Sequence, residues 1–311
     1  HCSQRLQVHY SQRKNRKESE KMAGYKGNGI NPSKFDRSQI KIYIILLPLA
    51  VFMLFPIVFI FCHAFKPPAE LFAFPPRFYV VNPTLDNFSE LLKSARNAGV
   101  PLSRYVMNSV FVTAVVCVAN IIMSTMAAFA LSKMKFKTRG LIFNINQKAM
   151  MFVPAAVLIP RYLIMNGMGI LNTYWAHILP LIAMPVSLFL IKQFVDGVPD
   201  ALIEAASIDG ASPFRIYWSV ILPLVKPAIA TGVILAFNQA WPYVESSNNF
   251  VNTDSMKTLS FYMTTLANAN NVVQGQGVAA AASLIMFVPQ LILFIFCQRD
   301  VMNTMASSGI K

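Results

Sequence analysis

Apolar residues along this chain fall in long unbroken runs instead of the three-and-four rhythm of a water-soluble helical domain. Stretches free or nearly free of charge recur at 42–65, 105–132, 149–160, 166–191, 227–244 and 278–297. Each main run approaches the roughly 20 residues a helix needs to cross ~30 Å of hydrocarbon. The pattern predicts six helices, over 42–65, 105–131, 142–165, 173–193, 227–246 and 277–297. The third is the weakest, because Lys148 and Arg161 bracket its apolar part and Asn144, Asn146 and Gln147 precede it. Pro48, Pro56, Pro154, Pro160, Pro180 and Pro185 punctuate the spans, as a membrane allows where neighbouring helices satisfy the freed carbonyls. In the second span Ser109, Thr113, Cys117, Ser124, Ala127 and Ala128 recur at helical spacing. Small residues let helices approach closely in lipid, so this stripe is expected to face the bundle.

The connections differ in character. Residues 66–103 carry prolines at 67, 68, 75, 76, 83 and 101, which resist helix and strand interiors. An irregular cap is expected there, with one short helix over "TLDNFSELLKSA" capped by Thr84 or Asp86. The stretch "EAASIDGASPFRIYWSVILP" (Glu204–Pro223) is too broken to span a bilayer and too apolar to lie bare in water. It reads as two short helices. Asp200 is placed to cap the first, and Asp209-Gly210 breaks it, since glycine accepts a positive φ without steric cost. Ser212-Pro213 then opens the second as N-cap and first-turn proline. On that helix Phe214, Tyr217, Trp218 and Ile221 form one apolar stripe. Isolated helices under ~12 residues are marginal in water, so another surface must hold this elbow.

Composition and charge turn the pattern into a topology. Of 311 residues, 55% are hydrophobic and 13% charged, a balance that fits several membrane spans better than one soluble domain. Ten Lys or Arg precede the first span, and "KMKFKTRG" (Lys133–Gly140) carries four in eight residues. By contrast, 252–277 holds only Lys257. Basic loops stay inside, so a multi-pass protein of the cell membrane with both termini cytoplasmic is expected. The net charge of +14 is then mostly a topological signal and does not indicate nucleic-acid binding. From Lys192 to Lys226 the elbow region instead sums to −1, which suits a partner groove rimmed with Arg or Lys. Cys2, Cys62, Cys117 and Cys297 have neither disulfide nor metal spacing, so no metal is expected. Residues 1–21 precede the first methionine, Met22, and are polar and unpatterned. They are expected to be disordered or non-native, a tag, read-through or fragment boundary. No cleavable signal peptide is read.

Motif chemistry excludes several classes. There is no GxxxxGK[ST] phosphate loop, no HExxH, and no pair of carboxylates within a span, so neither an ATPase nor a membrane-embedded enzyme is indicated. An ion-coupled secondary transporter would carry ionisable residues near the midplane or paired inverted repeats, and neither is evident.

The order Glu204-Ala205-Ala206, Gly210 and Val220-Ile221-Leu222-Pro223 resembles the EAA signature of membrane subunits of binding-protein-dependent ABC importers. Val220 stands where that family favours isoleucine. "AAFALSKMKFKTRG" and "GILNTYWAHILPLIAMPVSLFLIKQFVDGVPDALIEAASIDGAS" extend the likeness to the carbohydrate branch, of the maltose-permease G-subunit type. The resemblance implies an all-α, six-span, type I (MetI-like) fold, with a transmembrane domain over 104–299 and a coupling loop over 196–223. It would be flanked by a cytoplasmic segment over 1–41, an extracytoplasmic loop over 66–103 and a cytoplasmic tail over 300–311. It implies that Glu204, Ala205, Ala206, Asp209, Gly210, Phe214, Leu222 and Pro223 dock on a dimeric cytoplasmic ABC ATPase. Glu204 would pair there with a basic residue. The alternative, an amphipathic helix lying on the membrane, accounts for Phe214 and Trp218 but not for Glu204 or the Gly210 break.

The resemblance further implies a second permease subunit, giving a heterodimer, and an extracytoplasmic solute-binding protein that meets 246–277. It implies no cofactor on this chain, ATP and magnesium being used by the ATPase. The substrate implied is a sugar or oligosaccharide; a non-sugar ABC substrate is the alternative. Polar span residues Asn120, His177, Asn238, Gln239 and Gln290 are candidates to line the path. Each also has a simpler reading as one interhelical hydrogen bond, worth ~0.6 kcal/mol on average. In "FNQAWPYVESS", Asn238 and Gln239 offer donors and acceptors, while Trp241 and Tyr243 offer faces for a sugar ring. The same two aromatics also fit an interfacial belt. Pro242 follows Trp241 where the family commonly has a Trp-Asn pair, which weakens any transfer of substrate contacts.

Overall fold

The computed structural model describes residues 40–71, 73–75, 77–97, 99–269 and 275–308, so the expectations for 1–39 lie outside the described residues. The chain divides into two units, 1–57 and 58–311. Helix α1 (Ile40–Phe65) contains both Pro48 and Pro56 without interruption. Its 26 residues would rise ~39 Å at 1.5 Å each, enough to cross the hydrocarbon.

In the larger unit the loop after α1 holds one helical turn, Pro68–Leu71, and then α2 (Asp86–Asn97) close to where a short helix is expected. The Glu70 carboxylate accepts the Val81 and Asn82 amides at 3.1 and 2.8 Å. These hydrogen bonds, that of Val81 foremost, hold its carboxyl below the usual carboxylate range. Asn87 is buried and donates to the Ala64 and Lys66 carbonyls at 2.9 and 2.8 Å, closing the C-terminal end of α1. Orphan carbonyls at a helix end need such donors.

Helix α3 (Leu102–Lys133) is the axis of the bundle and packs against most of the later helices. Its buried face carries Asn108, Ser109, Thr113, Asn120, Ser124, Thr125 and Ala128. The small stripe therefore faces inward as the spacing predicts, with Cys117 and Ala127 half-buried beside it.

The single helix expected over 142–165 is not formed. The segment is α4 (Arg139–Ala149), a 3-10 turn (Pro154–Val157) and α5 (Leu158–Gly167). Polar Asn144, Asn146 and Gln147 sit on α4 beside Lys148, and Pro154 and Pro160 cannot continue an upstream hydrogen-bond ladder. The next span is also broken, into α6 (Trp175–Ile182) and α7 (Pro185–Asp196), bent by 41°. Pro185 starts α7 because its missing N–H costs nothing in a first turn. Asn120 Nδ2 donates to the Ile182 carbonyl at 2.7 Å, satisfying an acceptor at the break.

Beyond the elbow, α8 (Asp200–Ile208) and α9 (Pro213–Leu224), come α10 (Lys226–Ala240) and α11 (Glu245–Asn249). The chain ends in α12 (Leu259–Ala269) and α13 (Gly275–Ser308). Among the described residues, three helices are long and apolar enough to cross a membrane, or five spans if each of two bent pairs counts as one. The difference from six lies in the divided 142–165 segment, and one of the bent pairs is α9 with α10–α11, turned by 82°.

Two clusters hold the unit. Near the start of α3, Tyr105 stacks on Tyr262 at 4.8 Å among Leu91, Trp241, Leu259 and Val278. Near its end, Ala128 and Phe129 pack with Ile191, Val195, Tyr217, Ile221 and Ala228. Gly277, on α13, brings its backbone against Asn87: a Cβ there would clash with the Asn87 side-chain amide. Since that amide is fixed by two carbonyls, Gly277→Ala is expected to cost ~1–3 kcal/mol through overpacking. Thermal unfolding in lipid nanodiscs checks this, with Gly140→Ala as the control, where nothing lies within 4 Å of the added atom.

Candidate functional site

The elbow is built as two short arms about one left-handed residue. Gly210 adopts φ +77°, and its amide donates to the Ser207 carbonyl at 3.0 Å while Ala211 donates to Ala206 at 3.0 Å. This pair of bonds closes the end of α8 in the manner of a glycine C-cap. Ser212 Oγ accepts the Arg215 amide at 3.4 Å, and Pro213 comes next in the first turn, as the sequence predicts. Asp200 departs from expectation. Pro199 occupies the N-cap position, and Asp200, already in the first turn, turns to Lys133 Nζ at 2.7 Å. The Lys133 hydrogen bond, and after it the Lys133 charge, hold the Asp200 carboxyl below the usual carboxylate range.

The stripe expected along α9 is also divided. Tyr217 and Ile221 are buried, as is Ile216, whereas Phe214 and Trp218 are 67% and 63% exposed. The split follows the two i,i+4 rows: Tyr217 and Ile221 lie on the row that faces the bundle, Phe214 and Trp218 on the row beside it, and the helix takes π turns over Tyr217–Ile221. The buried residues dock on α3: the Tyr217 hydroxyl meets Thr125 Oγ1 at 2.8 Å, and its ring lies 5.8 Å from Phe129.

The outward side of the elbow is therefore apolar and open. Ile208 is 86% exposed, and with Leu202, Phe214 and Trp218 it leaves four large apolar side chains uncovered. Among them lie exposed Glu204, Ala205, Asp209, Gly210 and Pro223, with Ala206 and Leu222 half-buried. Exposed apolar side chains interspersed with carboxylates on one short segment are of the kind a docking face presents.

The polar candidates within the bundle do not form one group. Asn120 is fully buried on the Ile182 carbonyl, and its Oδ1 has no hydrogen-bond partner among the described residues. His177 is fully buried between Ser246 Oγ at 2.7 Å and the Met256 carbonyl at 3.1 Å, an interhelical tie of the simpler kind. Trp241 is 5% exposed, donates to the Met286 carbonyl at 3.0 Å and stacks on Phe237 at 5.5 Å. Its face is occupied by protein, so it is not offered to a ring from outside. Tyr243 is half-buried and accepts from Arg161 at 2.9 Å, beside an Arg161–Glu245 ion pair of 2.7 Å. Asn238 and Gln239 are exposed, and Gln290 lines a cleft of about 450 Å³ with Pro242, Ser260, Thr264 and Ser283. Among the described residues no three His, Cys, Asp or Glu side chains gather where they could hold a metal ion.

Sequence reasoning missed two polar features. Arg161, read only as an interruption of a span, ties α5 to Tyr243 after α10 and to Glu245, the first residue of α11. Near the start of α3, Asn108 donates to the Ser255 and Lys257 carbonyls at 2.9 Å each, and Asn172 Oδ1 accepts the Asn252 and Thr253 amides. Neither partner set has a local signal, since both are distant along the chain.

The described helices thus form a bundle of apolar spans with an exposed two-armed elbow. Residues 120–299 match the family described as "Binding-protein-dependent transport system inner membrane component". YurM of Bacillus subtilis is 32% identical over 220 residues, covering 70% of this chain and 72% of that protein. The arabinooligosaccharides transport system permease protein AraQ of Halalkalibacterium halodurans is 30% identical over 277 residues, covering 85% and 93%. In three dimensions the chain is similar, with a TM-score of 0.73 and 22% identity, to a chain of a bacterial ABC transporter involved in the import of the polysaccharide alginate. That match covers 86% of this chain and 99% of the other. The chain belongs to the binding-protein-dependent transport system inner membrane component family, and it is an ABC permease of the MetI-like helical fold.

The Gly210 geometry generates a prediction. No atom lies within 4 Å of an added Cβ, so only the backbone opposes a side chain. Gly210→Ala is expected to cost ~1–2 kcal/mol, the left-handed penalty, and Gly210→Asn less. Hydrogen exchange of the α8 amides measures both; equal protection in all three proteins would contradict it.

Proposed function

We propose that the chain is one permease half of an ATP-driven importer, lining half of the path for a sugar or oligosaccharide. A separate extracytoplasmic binding protein delivers that substrate. The observation that carries the reading is the exposed elbow: Glu204 and Asp209 amid Leu202, Ile208, Phe214 and Trp218, held open by Gly210. In this reading α8 and the exposed side of α9 sit in a groove of a cytoplasmic ATPase, with Glu204 meeting a cation at its rim. ATP and magnesium are bound by that ATPase, not by this chain. Closure of an ATPase dimer would push the elbow and swing the spans between outward and inward states.

The same reading assigns the remaining parts. The basic loop 133–140 and both termini lie in the cytoplasm, and loop 250–258, pinned by Asn108, Asn172 and His177, faces the binding protein. A second, non-identical permease completes the path. The carbohydrate class is supported by the relative named for arabinooligosaccharides, which aligns over most of this chain. Exposed Asn238 and Gln239 are the residues best placed to meet hydroxyl groups, whereas Trp241 and Asn120 serve packing and the α6–α7 break.

Reversing the charge at the elbow tests the docking. Glu204→Lys is expected to lose at least ~1.5 kcal/mol of association, about tenfold, because a carboxylate–cation contact becomes a repulsion. Co-purification of the ATPase from membranes reads this directly; an undiminished yield would contradict the reading.

A further inference from the structure

The inner end of α3 makes a set of contacts that topology does not require. Lys133, its last residue, has a side chain only 7% exposed. Its ammonium donates to the Val198 carbonyl at 2.6 Å and to Asp200 Oδ1 at 2.7 Å. The preceding residue, Ser132, donates from Oγ to Asp196 Oδ1 at 2.6 Å, and Lys192 holds the other oxygen of Asp196 at 2.7 Å. Thus two consecutive residues of α3 grip the last residue of α7 and the first residue of α8. The other cations of that loop, Lys135, Lys137 and Arg139, are exposed. A cation counted only for orientation would be expected to lie there with them.

The chemistry of the junction favours a fixed geometry. The ammonium bonds the Val198 carbonyl, two residues past the end of α7, close to the helix terminus at which positive charge is favourable. Asp200 supplies the anion that the first turn of α8 favours. Only Gly197, Val198 and Pro199 link the two helices; Val198 is buried and Pro199 has a φ of −59°. The elbow meets α3 a second time through Tyr217 and Thr125, about two turns deeper in the bundle.

We infer that Lys133, with Asp200 and the Ser132–Asp196 bond, is a clamp that makes α8 and the inner end of α3 move as one body. Lys133 is a positioning residue: it touches neither nucleotide nor substrate, and acts by fixing the arm that bears Glu204. The inference rests on the elbow being the ATPase-docking element. It adds the route by which a push on that element reaches the bundle. From Lys133 the displacement passes along α3 to Asn120 at the α6–α7 break and to Asn108 at the outward loop, 13 and 25 positions up the same helix.

The experiment uses the assembled importer in nanodiscs, with spin labels at exposed Ser207 on α8 and Met126 on α3, without nucleotide and with ATP, magnesium and vanadate. In the otherwise unaltered protein the distance between labels is expected to stay the same in both conditions. Lys133→Met is expected to lose that constancy, with a shifted distance on nucleotide binding, and Lys133→Arg to restore it. Asp200→Asn, altered at an exposed carboxylate, gives a partial shift and decides the matter should Lys133→Met not assemble. A distance that changes in the unaltered protein, or stays fixed in both Lys133→Met and Asp200→Asn, overturns the clamp. Retained ATPase association in Glu204→Lys would overturn the docking reading instead, so the two failures are distinct.

Discussion

In hydrocarbon no water is available to backbone or side-chain polar groups, so every helix break and every loop tucked into the bundle needs a donor from a neighbouring helix. Here one helix makes several of these ties. The buried face of α3 donates from Asn108 to the 255–257 loop and from Asn120 to the α6–α7 break, accepts the Leu259 amide at Ser109 Oγ, and pairs the Thr125 hydroxyl with that of Tyr217. Its final residue, Lys133, reaches Val198 and Asp200. Between these polar rungs, small residues let the other helices come close. At Gly232 of α10, an added Cβ would lie 3.0 Å from Ile121 and 3.4 Å from Ile191. Packing of this kind replaces the hydrophobic effect, which gives little between helices already in lipid.

This arrangement gives the elbow a mechanical context. Its second arm has two sides of opposite character: Ile216, Tyr217 and Ile221 belong to the core, and Phe214 and Trp218 are left bare. A segment so divided is rigidly joined to the bundle yet available to a partner. The 41° break between α6 and α7 and the 82° turn between α9 and α10 are the places where displacement would be absorbed. Both lie beside α3.

The sequence made much of this visible, and for definable reasons. Uninterrupted apolar runs locate α1, α3 and the start of α13 within a few residues, because a spanning helix must satisfy all its own backbone groups, whereas α13 continues eleven residues past the expected end at 297. The Gly210 turn and the Ser212-Pro213 start are readable because both rest on local backbone chemistry. The divided 142–165 segment is less so: its prolines and amides weaken a helix without saying where it breaks. The exposure of Phe214 and Trp218 depends on which of two adjacent i,i+4 rows meets α3, and a stripe four residues wide does not say which. The burial of Trp241 depends on Met286 and Phe237, the former 45 positions away. Lys133 is hidden for another reason. In a loop with four cations, the orientation signal masks the one that is also structural.

The account turns on the bare face of the elbow meeting a separate ATP-hydrolysing protein. A photo-crosslinking side chain placed in turn at Ile208 and Trp218, one on each arm, reads what covers that face in native membranes. Capture of a cytoplasmic ATPase from both positions is the predicted result. Capture of phospholipid alone from both would contradict it, and would make the elbow a membrane-surface helix.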